Sequence, residues 1–148
     1  MVQVDTNPQK IKELLSRGVY EVVSHKDLEE KLLSGKQLHI KLGIDVTGPL
    51  IHLGHSVIQR KIRDFQELGQ RVTLIIGDFT TLVGDHSDKV EMREERSAVV
   101  IKTDEETYTE QFFKTVLKDN CEIRHNSEWL TPLNFNNVIE LAKVFTVG

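Results

Sequence analysis

Cysteine, long apolar stretches and excess positive charge are all scarce in this sequence, and each scarcity excludes a class of protein. Cys121 is the single cysteine among 148 residues, which excludes an internal disulfide and a zinc site built from several cysteines. No apolar run approaches the roughly 18 residues that a membrane-spanning helix needs, and the N-terminus lacks the apolar segment of a secretion signal. The net charge is −4, so the surface as a whole does not favour nucleic acid. These features predict a cytoplasmic protein.

The composition that remains is that of an ordinary globular domain. Apolar residues make up 39% of the chain and charged residues 28%, without low-complexity tracts or an internal repeat. A chain of this length buries roughly 68–70% of its unfolded surface, which is enough for a real core. We expect a helical flank over residues 1–36 and a second unit, itself only part of a domain, over residues 37–148.

The flank is predicted to hold two helices. An Asn-Pro pair precedes QKIKELLSRG and supplies a cap and a first-turn proline, while Gly18 supplies a stop. Ser24 and Asp27 then predict the capped start of a second short helix, which Gly35 ends.

The pattern changes to alternating strands and helices after the flank. QLHIKLGID alternates and predicts a strand over about Leu38–Ile44, and apolar residues at helical spacing predict a helix over Leu53–Leu68. RVTLIIGD is a continuous apolar run of the kind found in strands buried on both faces. The unit is β-α-β, so the two strands should be parallel and joined by a right-handed crossover.

The remaining chain predicts one more helix-strand-helix unit. Residues 78–99 are charged and without periodicity, which predicts a long functional or disordered loop. Thr103 and Glu106 form a capping box for the next helix, CEIRHN reads as a third strand, and Asn134 or Asn136 could cap a closing helix. Three strands with intervening helices describe one half of a doubly wound sheet.

Two histidines lie where such a sheet binds its ligand. In an open parallel sheet, ligands lie beyond the carboxyl ends of the strands, with helix N-termini directed at anionic groups. His52 and His55 fall there, three residues apart on the first turn of a helix, and their ring nitrogens could donate to phosphate or ribose oxygens. Gly54 leaves space for a nucleotide against the backbone. A zinc pair and incidental surface histidines are the alternatives.

Three separate motifs carry a resemblance to a known family. KLGIDVTGPLIHLGH, LIIGDFTTLVGDHSDK and NSEWL, in this order, closely resemble the N-terminal half of bacterial tyrosyl-tRNA synthetases, class I enzymes whose HIGH signature appears here as HLGH. The resemblance runs from about Leu38 to the C-terminus. It implies the α/β class, with a Rossmann-like parallel sheet and flanking helices that form the first half of a class I synthetase catalytic domain.

The same resemblance implies a site for ATP and tyrosine. The positions that match the ATP site are Gly43, Asp45, Thr47, His52, Gly54 and His55. The positions that match the tyrosine pocket are Thr80, Asp85 and Asn126. The positions that match catalytic residues are Thr47, His52, His55, Lys89 and Arg93. The last two correspond to loop cations that neutralise the departing pyrophosphate, and a carboxylate such as Asp85 suits the tyrosine ammonium group.

The chemistry implied is attack of the tyrosine carboxylate on the α-phosphorus of ATP, followed by transfer to tRNA(Tyr). Mg²⁺ is expected with ATP. The closing segment VIELAKVFTV matches a region near the family's subunit interface, so the resemblance also implies a homodimer. The family's second half has no counterpart before Gly148, so we expect a fragment with an ATP cradle, a partial tyrosine pocket and an unpaired first strand that promotes self-association. The alternative is a non-catalytic nucleotide-binding relic or an interaction module.

Simpler interpretations exist for several of these residues. Asp78 and Asp85 are of the type that caps a loop, and the mixed charges of residues 89–96 are typical of a solvated loop. Trp129 and Leu130 are expected in the core rather than at a ligand.

Overall fold

The computed structural model describes residues 3–83 and 98–144. The helices are α1 (Pro8–Ser16), α2 (His25–Leu33), α3 (Leu53–Glu67), α4 (Asp78–Val83), α5 (Ala98–Phe112), α6 (Ser127–Leu130) and α7 (Phe135–Val144), with one 3₁₀ turn at Lys118–Asn120. The strands are β1 (His39–Ile44), β2 (Arg71–Ile76) and β3 (Cys121–His125). None of the described helices combines the length and the apolar character that a membrane-spanning segment requires.

The three described strands form one parallel sheet in the order β1-β2-β3. Ile40 lies opposite Val72, and Val72 lies opposite Cys121, so the even-numbered side chains of β1 and β2 share one face with the odd-numbered side chains of β3. The predicted β-α-β unit is confirmed, because α3 connects β1 to its parallel neighbour β2. The sheet class and the flanking helices are those expected of a Rossmann-like α/β protein.

The main core lies on one face of the sheet. Two helices, α3 and α5, cover this face, and they contribute Ile62, Tyr108 and Phe112 to a cluster with the apolar strand residues. The opposite face carries the polar strand residues His39, Lys41, Arg71, Thr73, Glu122 and Arg124. β2 is therefore central. Its side chains on the α3 and α5 side are all apolar, and on the other face it carries Arg71, the buried Thr73 and the half-buried Ile75.

The helical flank has a small core of its own. Asn7 caps α1 by accepting hydrogen bonds from the backbone N–H groups of Gln9 at 2.9 Å and Lys10 at 3.2 Å. α1 and α2 bury Ile11, Leu14, Leu15 and Leu32 together with Leu68 at the end of α3. Since this cluster includes Leu68, the flank packs against α3. The division at residue 36 stays a prediction.

One predicted helix start is confirmed without its predicted cap, and another is wrong. α2 begins directly after Ser24 as expected, but Ser24 has a left-handed backbone (φ 57°) and its side chain makes no capping hydrogen bond. Its carbonyl oxygen accepts from Leu28 N–H in the first turn of α2. The Thr103 and Glu106 capping box is also not used, since α5 begins five residues earlier at Ala98. Burial of Ile101 against the rest of the protein extends this helix toward its N-terminus.

Two further predictions need correction. The predicted loop over residues 78–99 is helical at both described ends, as the whole of α4 and the first two residues of α5, and residues 84–97 lie outside the description. Trp129 is exposed on 42% of its surface rather than buried in the core. For the closing helix, Asn134 and not Asn136 is the cap, because its Oδ1 accepts from Asn137 N–H at 3.1 Å.

Candidate functional site

A hydrogen-bonded chain of three polar residues lies at the carboxyl ends of the strands. Thr80 Oγ1, on α4, donates to Asp45 Oδ1 at 2.6 Å and accepts from Asn126 Nδ2 at 2.9 Å. The side-chain oxygen of Asn126, Oδ1, in turn accepts from the backbone N–H of Phe79 at 3.0 Å. Asn126 is buried, whereas Asp45 is exposed. Three of the residues that the sequence selected are thus brought together, and Asp45 joins the tyrosine-pocket pair rather than standing apart with the ATP-site residues.

Gly77 makes this arrangement possible and was not selected from the sequence. A Cβ built on Gly77 would lie 2.5 Å from Thr80 Oγ1 and would also overlap Asp45 Oδ1. Only glycine leaves the two oxygens free to meet at this point of the chain. The available signal was its position, directly after an apolar strand and before a helix.

Asp78 secures the same edge of the sheet. Its Oδ1 accepts from the backbone N–H groups of Phe79 (2.9 Å) and Ser127 (3.0 Å), and its Oδ2 accepts from Ser127 Oγ at 2.5 Å. Burial alone would raise the pKa of this carboxyl, but the hydrogen bonds together outweigh burial and hold the pKa below its usual value. The interpretation of Asp78 as a capping residue agrees with these contacts, which join α4 to α6.

A shallow cavity opens beside this chain of hydrogen bonds. Its volume is about 160 Å³. It is lined by Gly43, Ile44, Asp45, Ile75, Gly77 and Asn126. The carboxylate of Asp45 gives the cavity a negative wall, which suits a cationic group such as an ammonium.

The two signature histidines cap α3 reciprocally. His52 is the N-cap residue, and its Nδ1 accepts from the backbone N–H of Gly54 at 3.1 Å. His55 Nδ1 accepts from the backbone N–H of His52 at 3.2 Å, and the ring centroids are 4.0 Å apart. An Nδ1 that accepts carries no proton, so each neutral ring has its proton on Nε2. The site therefore presents two Nε2–H donors at the N-terminus of a helix.

The environment of His55 favours the neutral ring. Burial, and secondarily the nearby His52, lowers the pKa of His55. The edge of its ring meets Tyr108 on α5, with 6.0 Å between ring centroids and 87° between ring planes. Gly54 has no room for a larger residue, since a Cβ there would lie 2.9 Å from His52 Cε1. The glycine of the signature thus serves the histidine beside it.

The other predicted site residues fall in two groups. Gly43 lines the cavity, and Thr47 lies exposed in the loop between β1 and α3. Asp85, Lys89 and Arg93 lie outside the described residues. Within residues 3–83 and 98–144, no three histidine, cysteine, aspartate or glutamate side chains form a group that could hold a metal ion.

The fold and the site together define a Rossmann-like α/β protein with hydrogen-bond donors at the first helix after β1 and polar residues at the ends of β1, β2 and β3. The family described as tRNA synthetases class I (W and Y) matches residues 33–148, and the chain belongs to this family.

Individual relatives agree with this assignment. The chain is 46% identical over 139 residues to a tyrosine–tRNA ligase of Dehalococcoides mccartyi, covering 94% of this chain and 35% of the relative. It is 47% identical over 139 residues to a tyrosine–tRNA ligase of Moorella thermoacetica, covering 91% of this chain and 34% of the relative. The chain therefore spans about a third of the length of these relatives.

Solved structures show the same fold. A tyrosyl-tRNA synthetase of Archaeoglobus fulgidus, complexed with L-tyrosine, has a TM-score of 0.73 at 20% identity over 95% of this chain and 41% of its own. A C-terminally truncated mitochondrial tyrosyl-tRNA synthetase of Aspergillus nidulans has a TM-score of 0.71 at 22% identity over 95% of this chain and 46% of its own. The predicted fold class is confirmed.

Proposed function

We propose that this chain supplies the N-terminal, ATP-binding half of the catalytic domain of a tyrosine–tRNA ligase, an enzyme that activates tyrosine as tyrosyl-adenylate and transfers it to tRNA(Tyr). The observation that carries the proposal is the reciprocal cap of His52 and His55, which holds both Nε2–H donors at the N-terminus of α3. Backbone N–H groups and the helix dipole favour an anion at the same place.

Phosphate chemistry suits this set of donors. The tyrosine carboxylate is already a nucleophile at neutral pH, so the reaction needs positioning and charge stabilisation rather than a base. His52 and Thr47 are proposed to hold the ATP phosphates, and Gly54 and His55 to border the ribose and adenine. Lys89 and Arg93 are proposed to neutralise pyrophosphate. Mg²⁺ is proposed to arrive on the ATP phosphates, since this ion is commonly held by one or two carboxylates and the substrate's own oxygens.

The cavity at the strand ends is the proposed tyrosine site. Asp45 supplies a carboxylate there. Thr80 Oγ1 donates a hydrogen bond to this carboxylate, and Asn126 Nδ2 in turn donates to Thr80 Oγ1. Gly43 leaves the cavity wall open, and Asp85 is proposed as a second carboxylate for the ammonium group. Support for tyrosine as the substrate comes from the tyrosine–tRNA ligases that match most of this chain.

The remaining partners follow from the same proposal. The flank over residues 1–36 and the nucleotide domain over residues 37–148 are proposed units of one catalytic region. A homodimer through α7 is proposed because α7 exposes apolar side chains along its length. With tRNA as the partner, the cytoplasm is the proposed location.

Tyrosine-dependent exchange of pyrophosphate into ATP tests the function. Removal of the Nε2–H donor should lower exchange by about 100-fold to 1000-fold, the cost of losing one donor to a developing anion. His52→Ala also removes the helix cap, which costs about 0.5–2 kcal/mol of stability. His52→Asn is the sharper variant, because asparagine is a good N-cap whose oxygen can accept from Gly54 N–H.

The two variants separate catalysis from folding. We expect both to lose exchange, but only His52→Ala to lower the melting temperature appreciably. Exchange that survives in His52→Asn would contradict the proposed role of the Nε2–H group. ATP binding by the parent chain without any exchange would favour the alternative, a nucleotide-binding relic.

A further inference from the structure

One side chain of α5 ties down the loop that precedes the signature. Gln111 Oε1 accepts from the backbone N–H of Ile51 at 3.2 Å, and Gln111 Nε2 donates to the carbonyl of Pro49 at 2.6 Å. The same nitrogen also donates to Thr107 O, one turn back in α5, at 3.0 Å. Both polar atoms of the amide are therefore engaged, and two of their three partners lie in the loop immediately before His52.

A second side chain of α5, Tyr108, contacts a histidine of the signature. Tyr108 lies one turn from Gln111, is buried, and meets the ring of His55 edge to face. An aromatic pair in this geometry is favourable beyond its buried area and fixes the ring plane. α5 thus contacts both the loop before α3 and the first turn of α3 itself.

We propose that Gln111 and Tyr108 are positioning residues for the signature, Gln111 by holding the Pro49–Ile51 loop and Tyr108 by holding the ring of His55. The proposal rests on the proposed function, because it concerns the same nucleotide site. A loop of exposed residues with glycine and proline has several accessible conformations, and each must be given up when a ligand binds. The two hydrogen bonds from Gln111 remove this cost in advance.

The chain offers a matched control for Gln111. Gln66 on α3 also joins a helix to a loop: its Nε2 donates to Leu117 O at 2.8 Å and Asn120 O at 3.2 Å, and its Oε1 accepts from Leu117 N–H at 2.8 Å. It does so at the far end of α3, away from the signature. Gln111→Met and Gln66→Met therefore remove similar sets of hydrogen bonds, with similar side-chain volume, at opposite ends of the same core.

Three measurements on the full chain test the proposal. Titration calorimetry gives the Kd for ATP, amide hydrogen exchange gives the protection of Ile51 N–H, and ¹⁵N chemical shifts of the imidazoles report the tautomer of His55. In Gln111→Met we expect the Kd for ATP to rise about tenfold, because the loop must be ordered on binding. We also expect faster exchange at Ile51. Gln66→Met should lower the melting temperature but leave all three measurements as in the parent.

Tyr108 is tested by removing its ring. Tyr108→Leu should broaden or shift the His55 ¹⁵N signals, whereas Tyr108→Phe, which keeps the ring, should leave them unchanged. Equal Ile51 exchange in Gln111→Met and the parent, or an unchanged Kd for ATP where the parent binds it, would overturn the role of Gln111. If the parent binds no ATP while Ile51 exchange rises only in Gln111→Met, the proposed function fails and the positioning of the loop stands.

Discussion

Gln59 on α3 is a buried polar residue whose side-chain amide nitrogen is an unsatisfied hydrogen-bond donor among the described residues. It is only 2% exposed, and its Nε2 has no hydrogen-bond partner within the part of the chain that the structure describes. Burial raises the pKa of the neighbouring Tyr108 phenol, and the Gln59 side chain offsets part of this rise. The Gln59 Nε2 atom itself has no acceptor in hydrogen-bond geometry among the described residues. An unsatisfied buried donor costs about 1–3 kcal/mol.

We therefore predict that Gln59→Leu stabilises the fold by about 1 kcal/mol, because it removes the unsatisfied donor and adds apolar contact. The comparison is Gln66→Leu on the same helix, where a buried glutamine with all its hydrogen bonds is lost and stability should fall. Urea unfolding of the two variants and the parent measures both effects. A loss of stability in Gln59→Leu would show that this amide is satisfied in solution.

Adding a single carbon atom at Gly77 tests how tightly the site is packed. A Cβ at this position would collide with the Asp45 and Thr80 oxygens, so Gly77→Ala must break their hydrogen bond or move the backbone. We predict a loss of about 1–3 kcal/mol, the usual cost of overpacking. Gly48→Ala is the control, since a Cβ there meets no described atom within 4 Å and the change should be nearly neutral. Thermal unfolding distinguishes them, and equal melting temperatures would contradict the crowded geometry around Gly77.

At the scale of elements, the sequence predicted the helices and strands whose apolar residues recur at regular spacing. The spacing of apolar residues identified β1, α3 and β2 to within one or two residues, because each must bury one face in a known direction. Start signals were less reliable. α2 begins directly after Ser24, but the Ser24 side chain makes no capping hydrogen bond, and α5 already includes the buried Ile101 before Thr103. A cap is a weak local preference that burial overrides.

The sequence predicted which residues form the site better than it predicted the hydrogen bonds between them. His52 and His55 are three positions apart in the chain, so the helix geometry alone places them on one turn. The bond from Thr80 to Asp45 joins residues 35 positions apart and depends on how β1 and β2 pair. The contacts of Gln111 reach across 60 and 62 positions. No local pattern encodes such contacts, which is why Gly77 and Gln111 were missed.

The junction of α4 with α6 should make stability depend on acid pH. Because the folded-state pKa of Asp78 is depressed, its contribution is fully present above the unfolded value of about 3.9 and is lost as the pH falls through the folded pKa. Asp78→Asn should be less stable than the parent at pH 7, and the difference should shrink as the pH drops below about 4. Chemical unfolding at several pH values measures it, and a difference that is constant with pH would show that the charge of Asp78 has no part in the junction.

At the scale of the whole molecule, the two edges of the sheet and the α7 surface remain for association. Among the described strands β1 and β3 each pair only with β2, and α7 exposes Phe135, Val138 and Leu141. Contiguous exposed apolar surface marks an interaction site, while the polar neighbours of an edge strand weaken its pairing with other chains. His39 and Lys41 are such neighbours on β1.

We therefore predict concentration-dependent self-association through α7. The double substitution Val138→Gln and Leu141→Gln should make the protein monomeric in sedimentation equilibrium without lowering its melting temperature, because both side chains are about half exposed. Gln is a good helix former, so α7 itself should persist. Lys143→Gln on the same helix is the matched control and should associate like the parent. Association that survives the double substitution would contradict the α7 contact and favour an edge strand of the sheet instead.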